Sequence, residues 1–378
     1  MARWAGAPHD ARASRAAARS QPEKGADQTR IAGSSIGKRP RGIERTSELE
    51  CERRIGPPQA RAGLDPIILF FLLGVLAGVA QSDLRLPPQV YELLSILLLL
   101  SIGLKGGKEL AAQPFMELFP QMAAVVVMGI VLPLLAYPVL RTLGRFRRVD
   151  AASIAAHYGS VSVGTFAVAL AYLGSRQIAF EEHMPVFVVL LEMPAILVGI
   201  VLARGVTKDT QWGQVAHEVM LGKSMVLMLG GLIIGWIAGA DGLDPLSPLF
   251  FDLFKGVLAL FLLEMGLVTA SQLGALRRRG IFLVLFGVGM PLVSGAIGAV
   301  LGAGLGLSIG GTAVLATLAA SASYIAVPAA MRISVPEAKP TLSLAASLGV
   351  TFPFNVVLGI PIYLYYAERV HALFGLSG

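Results

Sequence analysis

Two related stretches decide how this sequence folds: residues 156–166 read AHYGSVSVGTF, and residues 319–328 read AASASYIAVP. Each lies in the middle of a long apolar run and combines hydroxyl residues with a glycine or proline, which break helices. A break at that depth frees backbone N–H and C=O groups, which a membrane tolerates only where they line a cavity or meet a ligand. We therefore predict two interrupted helices that build one site.

The composition around these stretches is that of an integral membrane protein. Of 378 residues, 55% are apolar and 15% are charged, whereas a soluble domain carries about 25% charged residues. Nearly all of the net charge of +7 lies in residues 1–64, which hold 13 basic and seven acidic residues. We predict that 1–64 is a disordered basic tail or follows from a start codon assigned too far upstream. No nucleic-acid partner is expected, because the charge is not on the folded body.

Hydropathy predicts an all-α protein with ten spans, since a spanning helix needs about 20 mostly apolar residues. The predicted spans are 66–82, 89–105, 118–142, 150–174, 184–204, 217–239, 248–272, 280–304, 308–332 and 341–367. They divide the body into a first half at 65–204, a cytoplasmic linker at 205–216 and a second half at 217–372. With the N-terminus outside, inside loops hold thirteen Lys and Arg residues and outside loops hold four. The positive-inside rule then predicts that both termini are outside, although the basic tail argues against it.

The two halves repeat each other at an offset of about 160 residues. The matches, in chain order, are Gly74-x-x-x-Gly78 with Gly231-x-x-x-Gly235, Gly103-Leu104 with Gly266-Leu267, Pro133 with Pro291, Ser160-Val-Ser162 with Ser321-Ala-Ser323, and Pro194 with Pro353. Because each half has five spans, the second half enters the membrane from the opposite side. We predict two inverted five-helix repeats with spans 4 and 9 broken, an architecture typical of secondary transporters.

The small and hydroxyl residues of the two breaks are the predicted anion site, because half-helix N-termini present free N–H groups and positive dipole ends. The candidates are Gly159, Ser160, Ser162, Gly164, Thr165, Ser321, Ser323, Tyr324 and Ala326. Close helix packing is the alternative explanation for any single serine. His157 opens the first cluster, either as a proton carrier or as a packing residue.

Carboxylates inside apolar runs are the candidates for a coupling cation, because a carboxylate at membrane depth is costly unless it has a partner. Glu192 lies beside the first break, just before Pro194, and is the leading candidate. Candidate Na⁺ ligands are Ser162, Glu192, Glu264 and Ser323. Glu92 lies near the start of its span, where it can reach the interface.

An enzyme is not expected. The run from Gly159 to Gly164 superficially resembles a nucleophile elbow, but its spacing fails, and His157 has no orienting acid nearby. A single cysteine, Cys51, and five histidines without paired spacing predict no transition-metal site. No cofactor is expected apart from a coupling ion.

The body of the chain, about residues 64–372, resembles the sodium-dependent bicarbonate transporter family. The resemblance rests on residues 157–165, 192–195, 102–107 and the second stretch through Pro328. It implies Na⁺-coupled bicarbonate uptake at the plasma (inner) membrane by a homotrimer, in which a core with the interrupted helices moves against a scaffold. Some members of the family bind a PII-like regulatory protein.

One position departs from the family. Tyr324 stands where well-known cyanobacterial members carry an acidic residue, so the residues leave open whether Na⁺ or H⁺ is coupled. Two alternatives also stay open: a symporter or exporter of another small organic anion on the same fold, and a non-transporting membrane sensor or channel.

Overall fold

The protein folds into a helical bundle, which a computed structural model describes for residues 65–112, 115–205, 213, 217, 220–277 and 280–375. The predicted tail at 1–64 and most of the linker at 205–216 lie outside these residues. In chain order the helices are α1 Pro66–Val79, α2 Pro88–Ala112, α3 Phe115–Thr142, α4 Arg148–Gly159, α5 Val163–Ser175, α6 Met184–Arg204, α7 Lys223–Leu243, α8 Phe254–Arg277, α9 Ile281–Gly304, α10 Ile309–Ala320, α11 Ala326–Ser334 and α12 Pro340–Phe374. Short helical turns at Asp244–Leu246 and Pro248–Asp252 join α7 to α8.

Eight stretches of the described residues are long and apolar enough to cross a membrane. They are Pro88–Ala112, Leu118–Thr142, Arg148–Ser175, Met184–Arg204, Lys223–Leu246, Phe254–Gly274, Ile281–Gly304 and Pro340–Phe374. Two further apolar helices, Pro66–Val79 and Ile309–Ala320, are shorter. The prediction of a multi-pass helical membrane protein is therefore confirmed, while the count of ten spans stays a prediction.

Local sequence signals set the helix ends. Asp65 precedes α1 and accepts a hydrogen bond from Ile67 N over 2.9 Å, and Pro66 occupies the first turn, where its missing N–H has no cost. Gly205 ends α6 with φ of +80°, a conformation that favours glycine.

Glycines let two helix pairs, α1 with α8 and α2 with α7, approach until their backbones touch. Gly74 of α1 lies against Gly266 of α8, and Gly103 of α2 lies against Gly231 of α7. A Cβ atom added at Gly235 would lie 3.0 Å from the Lys108 backbone nitrogen. Small residues at such crossings are typical of membrane helices, which gain packing where backbones come close.

Six of the remaining helices pack in two sets, α3 with α4 and α6, and α9 with α10 and α12. The C-terminal ends of α4 and α10 are completely buried between these sets. The fold therefore places both predicted interruptions in its interior.

Hydrogen bonds of Arg147 and Asp150 connect two parts of the chain at one end of the bundle. The Arg147 guanidinium donates to the Asp150 carboxylate over 2.7 and 3.1 Å and to the Glu337 carbonyl over 3.0 Å. Asp150 also accepts a hydrogen bond from Lys339 N over 2.9 Å. The start of α4 is thereby joined to the loop between α11 and α12.

Candidate functional site

The two interruptions have the same backbone course. Helix α4 ends at Gly159, and Ser160 is extended with φ of −95° and ψ of −178°. Helix α10 ends at Ala320, and Ser321 is extended with φ of −83° and ψ of 165°. The serine that follows each helix thus ends it in the same way, by adopting an extended backbone conformation.

Each interruption donates a backbone hydrogen bond to the other. Ser162 N–H donates to the Ser321 side-chain oxygen over 3.0 Å, and that hydroxyl donates to the Leu318 carbonyl over 2.8 Å. In the reverse direction, Ser323 N–H donates to the His157 carbonyl over 2.8 Å. These bonds satisfy backbone groups that the breaks free in the interior.

Ser162 also begins the next helix. Its hydroxyl oxygen accepts hydrogen bonds from Thr165 N over 3.1 Å and from the Thr165 hydroxyl over 2.9 Å. A serine hydroxyl can accept two hydrogen bonds and donate one. These two bonds fill both acceptor positions, so the Ser162 hydroxyl can still donate its proton. The N–H groups of Val163 and Gly164 in the first turn have no acceptor within the helix and lie at its positive end.

Tyr324 closes the site on one side. Its hydroxyl lies beside the Ser162 side chain and the Gly164 N–H, without the geometry of a hydrogen bond to any described residue. Its ring packs edge-on against Phe352 with 5.3 Å between ring centroids. The hydroxyl therefore lies within the site and makes no hydrogen bond to a described residue.

Glu192 supplies a buried carboxylate at the same place. The side chain of this α6 residue is 3% exposed, and its Oε2 atom has no hydrogen-bond partner among the described residues. It lines a cavity of about 10 Å³ that holds one water-sized group, with Val161, Ser162, Val163, Ser224, Ser323, Tyr324 and Ile325. A carboxylate with a free oxygen in an apolar interior fits a bound cation or proton.

A larger cavity leads from this cluster toward Lys223, at the start of α7. It has a volume of about 380 Å³ and includes Glu192, Ser224 and Ile325, which also line the small cavity. A separate cavity of about 440 Å³ is lined by Lys105, Glu109, Glu182 and Lys255 among others, and shares no lining residue with the small one.

The structure brings together most of the predicted site residues. Ser162, Glu192, Ser323 and Tyr324 share the small cavity, and Ala326 lines the larger one. Their neighbours in the predicted set, Gly164, Thr165 and Ser321, contact members of the cluster.

Other candidates lie outside the small cavity. Gly159 is a packing position, since a Cβ atom there would lie 3.0 Å from Ala195 Cβ. Ser160 is buried, with no hydrogen-bond partner for its hydroxyl within the described part of the chain. Glu264 lies on α8 near the Leu86 backbone, and its Oε2 atom, like that of Glu192, has no hydrogen-bond partner among the described residues. His157 is fully buried, with Nδ1 2.7 Å from the Ser153 carbonyl.

Ser224 is a cavity residue that the sequence analysis did not identify. It lies in the first turn of α7 and lines both the small cavity and the 380 Å³ cavity. A lone serine beside Lys223 carries no periodic or repeated signal in the sequence, so its position follows from the packing of α7 against α6 and α11.

Comparison with known proteins identifies the family of this chain. The sequence pattern of the Na⁺-dependent bicarbonate transporter superfamily matches residues 66–368, which is most of the chain and all but the last turns of the bundle. A search of curated proteins found no match. Because the pattern covers far more than half of the sequence and includes both interruptions and Glu192, the chain belongs to the Na⁺-dependent bicarbonate transporter superfamily.

Proposed function

We propose that this protein takes up bicarbonate together with Na⁺ by alternating access at the cluster formed by the two interruptions. The observation that carries the proposal is the pair of mutually hydrogen-bonded serine motifs beside Glu192, whose Oε2 atom has no partner among the described residues. Anion and cation positions would then lie side by side, as coupling requires.

Bicarbonate is proposed to bind at the N-termini of α5 and α11. The N–H groups of Val163 and Gly164 and the Ser162 hydroxyl proton supply donors for its oxygens, and the helix dipoles favour its charge. The Ser162 hydrogen bonds described above support a donor role for this hydroxyl and disfavour a role as a cation ligand. Tyr324 adds a further hydroxyl that can donate to, or accept from, the HCO₃⁻ group.

Na⁺ is proposed to bind at Glu192 with the Ser323 hydroxyl. The Ser323 oxygen accepts one long hydrogen bond, from Val327 N over 3.4 Å, and keeps a second acceptor position. Carboxylate and hydroxyl oxygens suit a hard cation. Glu264 lies apart from these groups, so we assign it no ligand role in this proposal.

The architecture proposed for this mechanism has ten spans in two inverted five-helix repeats, with α4–α5 and α10–α11 as the two broken spans. The matched conformations of Ser160 and Ser321 support it. So does the reciprocal donation from Ser162 and Ser323, which are 161 residues apart and equivalent in the repeat. The two proposed repeats are residues 65–204 and 217–372.

Alternating access is proposed because the central cluster is connected unequally to the two ends of the bundle. The 380 Å³ cavity shares three lining residues with it, and the 440 Å³ cavity at the other end shares none. This difference supports a carrier that is open toward the end of the bundle where α7 begins, which we propose is the cytoplasmic side. The proposal places both termini outside the plasma membrane and the protein in a homotrimer, with a PII-like protein as a candidate regulator.

Uptake of radiolabelled bicarbonate tests this proposal in a host that lacks bicarbonate carriers, with Na⁺ or with choline as the external cation. We expect saturable uptake that requires Na⁺. Uptake that is equal in choline but rises with an inward proton gradient would contradict Na⁺ coupling and favour H⁺, which also fits the free Glu192 oxygen. Competition by small organic anions would point to another substrate, and flux that does not saturate would indicate a channel.

A further inference from the structure

The last helix, α12, contains two widened π-helical turns, Ser347–Thr351 and Asn355–Gly359. Such turns cost regular hydrogen bonding and are frequent at functional sites. The first turn carries two completely buried polar residues, Ser347 and Thr351, and the second carries one, Asn355. Thr351 and Asn355 lie about one helical turn apart.

Asn355 holds the end of α10. Its Nδ2 atom donates to the Ala320 carbonyl over 2.9 Å, and its Oδ1 atom accepts a hydrogen bond from the Tyr363 hydroxyl over 2.6 Å. Ala320 is the last residue of α10, so its carbonyl is one of those that a helix leaves without a partner. The next residue in the chain is Ser321, whose hydroxyl receives the Ser162 N–H.

Thr351 holds the end of α4 in a comparable way. Its hydroxyl donates to the Gly287 carbonyl over 2.7 Å, so the Tyr158 hydroxyl, 2.6 Å away, is the donor to Thr351. Tyr158 lies one residue before the end of α4. One turn of α12 therefore binds both helices just before their serine motifs.

Thr351 occupies the position in the second half that Glu192 occupies in the first. The match of Pro194 with Pro353 aligns Thr351 with Glu192. Glu192 keeps a free oxygen in the cavity, whereas the Thr351 hydroxyl is engaged on both sides. The same position thus lines the small cavity in the first half and holds a helix end in the second.

We propose that Asn355 and Thr351 are positioning residues for the central site, which set the relative placement of the Ser160–Ser162 and Ser321–Ser323 motifs. This inference rests on the proposed function, because it assigns these residues to the site where the anion and cation bind. Neither residue lines the small cavity, so each acts through the helix end that it holds.

Asn355→Leu and Thr351→Val test the inference, because each keeps the size of the side chain and removes its hydrogen bonds. We expect the KM for bicarbonate to rise on the order of tenfold at equal membrane abundance. Tyr363→Phe, which removes the donor that orients Asn355, is expected to give a smaller rise. The control is Ser347→Ala in the same widened region, whose hydroxyl has no partner among the described residues. Loss of abundance or maximal rate with unchanged KM would show a structural role only and overturn the inference.

A second measurement does not depend on transport. Cys51 is the single cysteine, so the Cys51→Ser variant has no thiol. Adding Ser323→Cys to it places one thiol in the second serine motif. The rate at which this thiol reacts with a small methanethiosulfonate reagent in purified protein reports the position of the motif. We expect Asn355→Leu to change this rate on the order of tenfold and Ser347→Ala to leave it unchanged. An equal rate in Asn355→Leu would overturn the inference. Absence of bicarbonate uptake in the wild type would contradict the proposed function alone, because this rate is still measurable.

Discussion

The backbone N–H of Ser162 donates to the side-chain oxygen of Ser321 over 3.0 Å, between residues that are 159 positions apart in the chain. This bond joins the start of α5 to the end of α10. An unpaired buried donor costs more than a hydrogen bond gains, so each interruption stabilises the other by supplying a partner for its backbone.

The serine motifs are expected to be needed for uptake. Ser162→Ala removes a proposed anion donor and the cap of α5, whose loss costs about 1 kcal/mol. Ser323→Ala removes a proposed Na⁺ ligand. Both variants should lower bicarbonate uptake about tenfold or more at equal membrane abundance, whereas Ser175→Ala at the far end of α5 should transport normally. Wild-type rates in both variants would contradict the proposed site.

Glu192→Gln is expected to weaken Na⁺ dependence. The amide has nearly the shape of the carboxylate but no charge, so the Na⁺ concentration for half-maximal uptake should rise about tenfold or more. Uptake as a function of external Na⁺ measures this value, and Glu368→Gln on the exposed side of α12 is the matched control. If Glu264→Gln raises the value and Glu192→Gln does not, the cation site lies on α8 instead.

Gly164→Ala is expected to damage the site mainly through a collision with Tyr324. The added methyl group would collide with the Tyr324 hydroxyl and lie 3.0 Å from the Phe261 ring, so uptake should fall about tenfold. Removing the hydroxyl makes room, and the double variant with Tyr324→Phe should exceed Gly164→Ala in uptake if the single Tyr324→Phe variant remains active. Gly174→Ala on the same helix meets no atom within 4 Å and serves as the control. A double variant no better than Gly164→Ala would show that the collision is not the cause.

Gly235→Ala is expected to destabilise the fold with no change at the site. Its methyl group would lie 3.0 Å from the Lys108 backbone nitrogen and even closer to the Leu104 carbonyl, and overpacking of this kind costs about 1–3 kcal/mol. Thermal unfolding of the purified protein should therefore occur at a lower temperature than in Gly230→Ala, where the same helix has open space. Equal unfolding temperatures would contradict the close crossing of α2 and α7.

Acid is expected to destabilise the protein partly through His183, which precedes α6. Burial lowers the pKa of His183 below its ordinary value, and the nearby Glu181 carboxylate opposes that effect. Since the unfolded chain then binds the proton more readily than the folded one, stability should fall as the pH drops below about 6.5. Thermal unfolding between pH 7.5 and about 5 should show a smaller loss for His183→Leu than for the wild type. An identical loss in both proteins would exclude this histidine as a cause.

Much of the bundle follows directly from the sequence. Apolar runs of spanning length predict the helices, and the paired motifs at Ser160 and Ser321 predict where α4 and α10 end. The carboxylate of Glu192 is identifiable because an acid inside an apolar run is rare enough to indicate function. These signals involve residues close together in the chain, so they can be identified from the sequence without the structure.

Contacts between distant parts of the chain are the tertiary structure's own contribution. Ser224 and Asn355 give no repeated or periodic signal, yet one lines the cavity and the other holds the end of α10. Glu192 and Glu264 look alike in sequence and each has an oxygen without a partner among the described residues. Only packing places Glu192 at the small cavity and Glu264 away from it. Hydropathy and helix breaks depend on residues that are neighbours in the chain, so the sequence alone predicts them. A site depends on which breaks come into contact, and the packing of the helices decides that.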